Sequence, residues 1–359
     1  MSAEQSTPVV ASPPRTGPQR PPPRVFSGMQ PTGKLHLGNW LGALKTWVDL
    51  IEESKTTGAD NVFCIVDQHA LSADYDPKEL RAKVAEAALY YVAAGVDPTQ
   101  CTLFVQSHVP AHTELAWYFN TITPMGELSR MTQFKEKSAQ HGGAVGTGVL
   151  TYPLLMAADI LLYRSTIVPV GEDQVQHLEL TREIARKWNA RFTPKRSRET
   201  FPEPQPRLSV TPRIMGIDGQ HKMSKSRGND IAMLEDDRSI AKKLKSAFTD
   251  PQRITRDISG NPAICNIFTL HKAVSSAEQV AEIDRGCRDA SWGCGDCKEL
   301  LGKNLSTQLT PIRERARELE QKPDVLLDAL ADGARRCRTI ADETMREVRD
   351  RMGLLPMRP

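Results

Sequence analysis

The chain has 359 residues, a quarter of them charged, with a net charge of only +3. That is room for one large α/β domain with a smaller companion, and the charge balance excludes a histone-like polycation. No apolar run reaches the roughly eighteen residues of a membrane span, no apolar core of a secretory signal precedes the first charged stretch, and seven cysteines do not make a secreted disulfide framework at this length, so a reducing cytoplasm is expected.

Residues 1–23 hold seven prolines and a single apolar pair, Val9-Val10, a composition expected to stay disordered. Arg24 to Ser27 reads as a short strand, and Gly28, Pro31 and Gly33 make a turn. From Leu37 apolar residues recur at helical spacing through Trp40, Leu41, Leu44, Val48 and Ile51. A small-residue loop between strand and helix sets backbone N–H groups at a helix N-terminus, where an anion is stabilised. Val62 to Val66 predicts a buried strand ending in Asp67-Gln-His-Ala70, Lys78 to Val96 a helix, Cys101 to Gln106 a strand, and Thr113 to Asn120 another helix. Strands alternating with helices imply a parallel sheet of βαβ units, and such sheets collect ligands at the carboxyl ends of their strands. Ser27, Asp67 and Ser107 stand at such ends.

Glu127 to Ala139 reads as a charged helix, Gly142 to Gly148 as a mobile loop, and Tyr152 to Tyr163 as an apolar helix interrupted by Asp159. Ile167 to Val170 is a strand leading into Gly171-Glu-Asp-Gln174, and Val175 to Asn189 is helical. A basic, proline-rich connector from Arg191 to Pro212 precedes a last strand, Arg213 to Met215. Beyond residue 230 the pattern is helical to the end, with a helix period running from Leu326 to Met352. Between Arg186 and Arg256 there are 17 Lys and Arg against 8 Asp and Glu, so the rest of the chain carries −6. A basic segment of this kind suits a polyphosphate and an RNA end, or simply a solvated face.

Two stretches carry chemistry together. The first is Gln30-Pro-Thr-Gly-Lys-Leu-His-Leu-Gly-Asn39, where His36 and Asn39 lie three apart at the loop-to-helix junction. The second is Gly219-Gln-His-Lys-Met-Ser-Lys-Ser226, whose Lys222 and Lys225 are point charges on long stems, suited to following a moving polyphosphate. This pair resembles the HIGH and KMSKS motifs of the class I aminoacyl-tRNA synthetases, and from about residue 24 to 356 the chain is similar to their bacterial tryptophan branch. Asn39 stands where most of the class has a second histidine, as in that branch.

The resemblance implies a Rossmann-like catalytic domain over residues 24–230 and an all-helical, anticodon-binding domain over 231–359, whose last helix can return to the catalytic domain. It implies ATP contacts at Gln30, Pro31, Thr32, Gly38, Asn39, Gly171, Glu172, Asp173, Ile214, Lys222, Met223, Ser224, Lys225 and Ser226. Lys222, Lys225, His36 and Asn39 would be the catalytic contacts and Mg2+ would accompany ATP. Asp173 could equally cap the helix that follows it. L-tryptophan, tRNA for tryptophan and a second copy of the chain are the implied partners, with no DNA and no membrane.

Asp159 is a carboxylate among apolar neighbours, and such a charge is not buried without a partner. It is either a structural acid paired with an arginine or an acceptor for a single N–H in an apolar pocket. An indole fits the second description, being flat, apolar and donor-only. By resemblance Asp159 takes that N–H, Phe26, Tyr152, Met156, Val168 and Val170 wall the pocket, and Gln30, His69 and Gln174 contact the rest of the amino acid. Cys265, Cys287, Cys294 and Cys297 leave gaps of 21, 6 and 2 residues. Four cysteines closing on such a pair can hold an iron–sulfur cluster or zinc, or remain free thiols. A subset of the family carries a similar quartet.

Overall fold

The structure, a computed structural model, describes residues 22–72, 74–135, 146–208 and 214–356. The proline-rich segment 1–21 and most of the glycine-rich loop expected at 142–148 lie outside the described residues.

Five strands, β1 (Arg24–Met29), β2 (Asp60–Ile65), β3 (Thr102–Val105), β4 (Ile167–Val170) and β5 (Gln205–Leu208), form one parallel sheet in the order β3-β2-β1-β4-β5. Helices of nine residues or more are numbered here as α1 (Lys45–Thr57), α2 (Pro77–Ala93), α3 (Ala111–Asn120), α4 (Thr147–Leu162), α5 (Val175–Phe192), α6 (Asp237–Ser246), α7 (Asn266–Val274), α8 (Ala277–Arg288), α9 (Cys294–Glu320) and α10 (Pro323–Arg351). No described helix is long and apolar enough to cross a membrane.

The central strands β2 and β3 are mostly apolar because both faces of the sheet are covered there. Val25, Phe63, Ile65, Leu103 and Val105 join a core with α1, α2 and the helices α6, α7 and α9. Phe26, Val62, Cys64 and Phe104, the alternate residues, join a second core with α3, α4 and α5. The final helix touches both. Leu330 belongs to the first core, while Ala334, Cys337, Ala341, Met345 and Val348 belong to the second. Between them Gly333 lies against the β3 edge, so closely that a Cβ there would stand 1.9 Å from the Leu103 carbonyl oxygen. Arg349 then pairs with Glu114 of α3 at 2.7 Å, and Arg338 donates to the His108 carbonyl at 2.8 Å.

Four expected elements are corrected. The charged helix is broken: one short helix covers Met125–Ser129, Arg130 caps it, and Met131 turns inward to be buried near Leu128. The basic connector contains β5, an edge strand with every residue exposed, which tolerates Pro206 because an edge position can spare a donor. Of the expected last strand, Arg213 lies outside the described residues, and Met215 makes only an isolated antiparallel bridge to Lys222. The glycine-rich segment yields earlier than expected to α4, which begins at Thr147 and takes in Gly148.

Candidate active site

Two depressions adjoin where the segment after β1 crosses the carboxyl end of the sheet. The first is a cavity of about 340 Å³. Its wall takes Phe26 and Gly28 from β1, Val168 and Val170 from β4, and Tyr152, Met156 and Asp159 from one face of α4; Gln30, His69 and Gln174 stand at its polar rim. All nine residues expected around an amino acid therefore line one cavity, together with Gly171. Ahead of α1 the chain widens into a π-helical turn, Trp40–Leu44, and Gly42 and Ala43 from that turn face the same space. Such widened turns recur at functional sites.

Asp159 is 2 % exposed, and its partners are not an arginine. His69 Nε2 lies 2.7 Å from Oδ2, His112 Nδ1 lies 2.6 Å from Oδ1, and the Gln106 amide donates to Oδ1 at 2.7 Å. Burial pushes the carboxyl up, but His69 and His112 outweigh it and hold the group below the usual carboxylate range. The orientation of Gln106 is fixed because its Oε1 accepts the Gln68 backbone N–H at 3.1 Å. Neither Gln106 nor His112 was expected from the sequence. The available signal was His112 on the buried stripe of α3 with Leu115, Ala116 and Phe119, where a polar ring needs a partner. Tyr152, whose hydroxyl burial pushes up to about 12, reaches His177 Nε2 at 2.6 Å and Gln133 at 2.8 Å.

The second depression brings the two sequence motifs together. Thr32, Lys34, His36 and Asn39 face Lys222, Met223, Ser224, Lys225 and Ser226 across a cavity of about 940 Å³. The halves are stitched by backbone hydrogen bonds from Leu37 to the Ile231 carbonyl and from Met233 to the Leu35 carbonyl, both 2.9 Å. Asn39 accepts the His36 backbone N–H at 3.1 Å, which closes the first helical turn. Gly38 leaves space for the His36 ring, since a Cβ would come within 3.0 Å of it. Burial lowers the affinity of that ring for a proton, with Lys222 acting in the same direction and Asp230 opposing.

The lysine loop is exposed but pinned from behind. Buried Asn229 accepts the Ser224 N–H at 2.8 Å and donates to Asp218 Oδ2 at 2.9 Å. Burial would raise the Asp218 carboxyl, yet hydrogen bonds from Asn229, Gln220 and His221 prevail and bring it to about 2. Lys222 and Lys225 thus project from a fixed base.

Other expected residues are distributed less directly. Pro31 and Ile214 are buried, and Ile214 meets the site through its carbonyl, which accepts the Met223 N–H at 3.1 Å. Glu172 and Asp173 are exposed on a short 3-10 turn beside Gly171. Asp173 accepts from the Gln174 side chain at 2.8 Å, while Gln174 itself occupies the N-cap of α5, so the capping role expected of Asp173 is not realised.

Cys265, Cys287, Cys294 and Cys297 line a small separate cavity together with Arg253 and Trp292. The final pair lies in the first turn of α9 instead of in a loop, because Asp296 accepts the Gly293 N–H at 2.9 Å and starts the helix there. Spaced i and i+3, both sulfurs share one helix face. Among the described residues, no group of three or more His, Cys, Asp or Glu is arranged as a closed metal-ligand set.

The sequence profile of the class I tRNA synthetases for tryptophan and tyrosine matches residues 19–310. A tryptophan–tRNA ligase of Deinococcus radiodurans is 48 % identical over 337 residues, covering 93 % of this chain and 99 % of the relative. One from Thermotoga maritima is 41 % identical over 92 % of this chain and 99 % of its own. The tryptophanyl-tRNA synthetase of Campylobacter jejuni, solved with ADP and tryptophan, superposes with a TM-score of 0.80 at 34 % identity, covering 92 % of this chain and 100 % of that one. A tyrosyl-tRNA synthetase from Archaeoglobus fulgidus, solved with L-tyrosine, shares the fold at a TM-score of 0.64 and 20 % identity, over 82 % of this chain and 90 % of its own.

Proposed function

The chain belongs to the class I tRNA synthetases for tryptophan and tyrosine, and from that premise we propose a division of labour between its two cavities. The activity is that of a tryptophan–tRNA ligase, which joins L-tryptophan to ATP as tryptophanyl adenylate with release of pyrophosphate, then transfers the acyl group to the terminal ribose of tRNA. The observation that carries the substrate assignment is Asp159, an acceptor-only group on a cavity wall shared with the apolar Phe26, Met156, Val168 and Val170.

Tryptophan lies with its indole between Phe26, Met156, Val168 and Val170, its N–H on Asp159, and its polar end at Gln30, His69 and Gln174. A carboxylate oxygen of tryptophan attacks the α-phosphorus in line, a P–O bond forms, and the bond to the β-phosphate oxygen breaks. This step needs position and charge cancellation more than proton transfer. ATP, arriving with Mg2+, spans the second cavity. His36 and Asn39 meet its phosphates from the first motif, while Lys222 and Lys225 follow the departing pyrophosphate. Gly171, Glu172 and Asp173 read the ribose. ATP–pyrophosphate exchange measured with each amino acid in turn tests the reading; exchange driven by tyrosine and not by tryptophan would overturn it.

The same reading extends to partners and organisation. Residues 24–230 act as the catalytic unit and 231–359 as the helical unit that receives the tRNA anticodon, in a cytoplasmic enzyme. The four cysteines would hold one iron–sulfur or zinc centre that braces the helical unit, a role supported by their common cavity. A second copy of the chain would cover the apolar depression between α3 and α4, where Trp117 is 66 % and Leu71 48 % exposed. That depression shares His69 and Tyr152 with the amino-acid cavity, which supports a dimer whose interface backs the site. Replacing Trp117 with Glu should convert a sedimenting dimer to monomer; an unchanged dimer would move the interface elsewhere.

A further inference from the structure

Behind the amino-acid cavity runs a buried chain of polar side chains that the reaction itself does not use. His112 is fully buried at the start of α3, its ring stacked on Phe104 with centroids 5.8 Å apart. Its Nδ1 meets Asp159 Oδ1 at 2.6 Å and its Nε2 meets the Tyr163 hydroxyl at 2.7 Å. Asp159 and Tyr163 are four residues apart, so they project from the same side of the α4 axis and the imidazole brackets them. Tyr163 shares its core with Cys337, which is fully buried on α10. One turn before Cys337, Gly333 is pressed against the β3 backbone.

We infer that His112 is a positioning residue for tryptophan recognition, and that the Tyr163 hydroxyl holds its far nitrogen. The inference rests on the tryptophan reading above and specifies which oxygen the substrate uses. A carboxylate offers about four lone-pair sites, two on each oxygen. Oδ1 is filled by Gln106 and His112, whereas Oδ2 receives only His69. The indole N–H therefore goes to Oδ2, beside the His69 ring. With Nδ1 donating to Asp159 and Nε2 accepting from Tyr163, every hydrogen bond in the chain points toward the carboxylate. That polarity keeps Asp159 an acceptor. The titratable groups around the imidazole are Asp159 of α4 and Tyr163 at its C-cap, His69 and Asp67 after β2, Cys64 of β2 and Cys337 of α10. Burial pushes the Tyr163 hydroxyl and both thiols up, so all three stay protonated and able to donate.

The test compares His112→Ala, His112→Asn and His112→Gln with the parent, using calorimetric tryptophan affinity and ATP–pyrophosphate exchange between pH 5 and 9. Loss of a hydrogen bond to a charged acceptor should weaken tryptophan binding in the Ala variant about 30-fold, with kcat and the KM for ATP within about threefold of the parent. Its acid limb should move to higher pH, because Asp159 loses a donor that stabilises the ionised form and so protonates earlier as pH falls. The Asn variant sets an amide where Nδ1 was and should recover most of the affinity. Gln, whose amide falls nearer the Nε2 position, should not. Tyr163→Phe, which removes the hydroxyl from Nε2, should lose affinity several-fold in the same direction. Parent-like affinity and pH profile in a folded Ala variant, or equal losses in Asn and Gln, would overturn the proposal. Should Ala fail to fold, the Asn and Gln pair still decides. A parent that shows no tryptophan-dependent exchange would instead sink the substrate reading itself.

Discussion

At the scale of single residues, the chemistry rests on groups whose surroundings leave them one task. Asp159 is spanned by His69, His112 and Gln106, so its remaining capacity is directed into the cavity. Asp159→Ala should cut tryptophan-dependent exchange by about two to three orders of magnitude, since a charged hydrogen bond is lost and three buried donors are left unpaired. Asp159→Asn keeps an acceptor but forces an N–H2 toward one of those donors, and should fall between. Exchange within threefold of the parent for the Ala variant would refute the role. Lys225 is exposed on its pinned loop and lines the second cavity, and on the proposed reading it contributes most where pyrophosphate departs. Lys225→Ala should therefore lower kcat far more than it alters tryptophan affinity, and a parallel collapse of affinity would make the loop structural instead. Most of these residues are legible in the sequence because they stand in motifs or interrupt an apolar run. His112 and Gln106 are not, since a lone buried polar residue does not reveal which distant chain segment satisfies it.

At the scale of elements, periodicity is informative where a face is buried and silent where it is not. The 29 residues of α10 keep a helix period because they pack on the sheet edge and its second core. By contrast, β5 has four exposed residues and a proline, with no alternation to read, and only its hydrogen bonds to β4 reveal it. The seat of α10 makes a sharp prediction. Ala is a better helix former than Gly by about 1 kcal/mol, so Gly333→Ala would stabilise an isolated helix. Here the added methyl meets backbone at 1.9 Å, and backbone cannot rotate away. The helix must lift, and overpacking of this kind costs about 1–3 kcal/mol, more where the clash is with main chain. Gly333→Ala should accordingly lower the thermal midpoint by several degrees. A raised midpoint would show that α10 does not bear on β3 as described.

At the scale of the whole molecule, the cysteine quartet lies in a part of the structure distinct from both ligand cavities, where α7, α8 and α9 converge. As thiols these groups crowd each other. Burial pushes Cys297 up to about 12, with Cys265, Cys287 and Cys294 adding to the effect. Arg253 sits at the rim, 3.7 Å from the Cys287 sulfur, where it would offset part of the charge that four thiolates bring. A metal centre would turn this crowding into bonding, since it binds thiolates and releases their protons. Trp292 and Phe268 line the same cavity and would shield such a centre from solvent. Such a centre would brace helices that line neither ligand cavity, so its loss should fall on the helical unit. Protein purified without oxygen is expected to be brown and contain iron, or colourless and contain zinc. Replacing Cys294 and Cys297 with Ser should remove the metal, lower the thermal midpoint, and reduce tRNA charging well beyond any loss of tryptophan activation. Anaerobically prepared, active protein with neither element would reject the centre and leave the quartet as four buried or half-buried thiols. Equal losses of charging and activation would keep the metal but place its influence on the catalytic unit, through the contact that α9 makes with α2 where Arg315 donates to the Ala93 carbonyl at 2.9 Å.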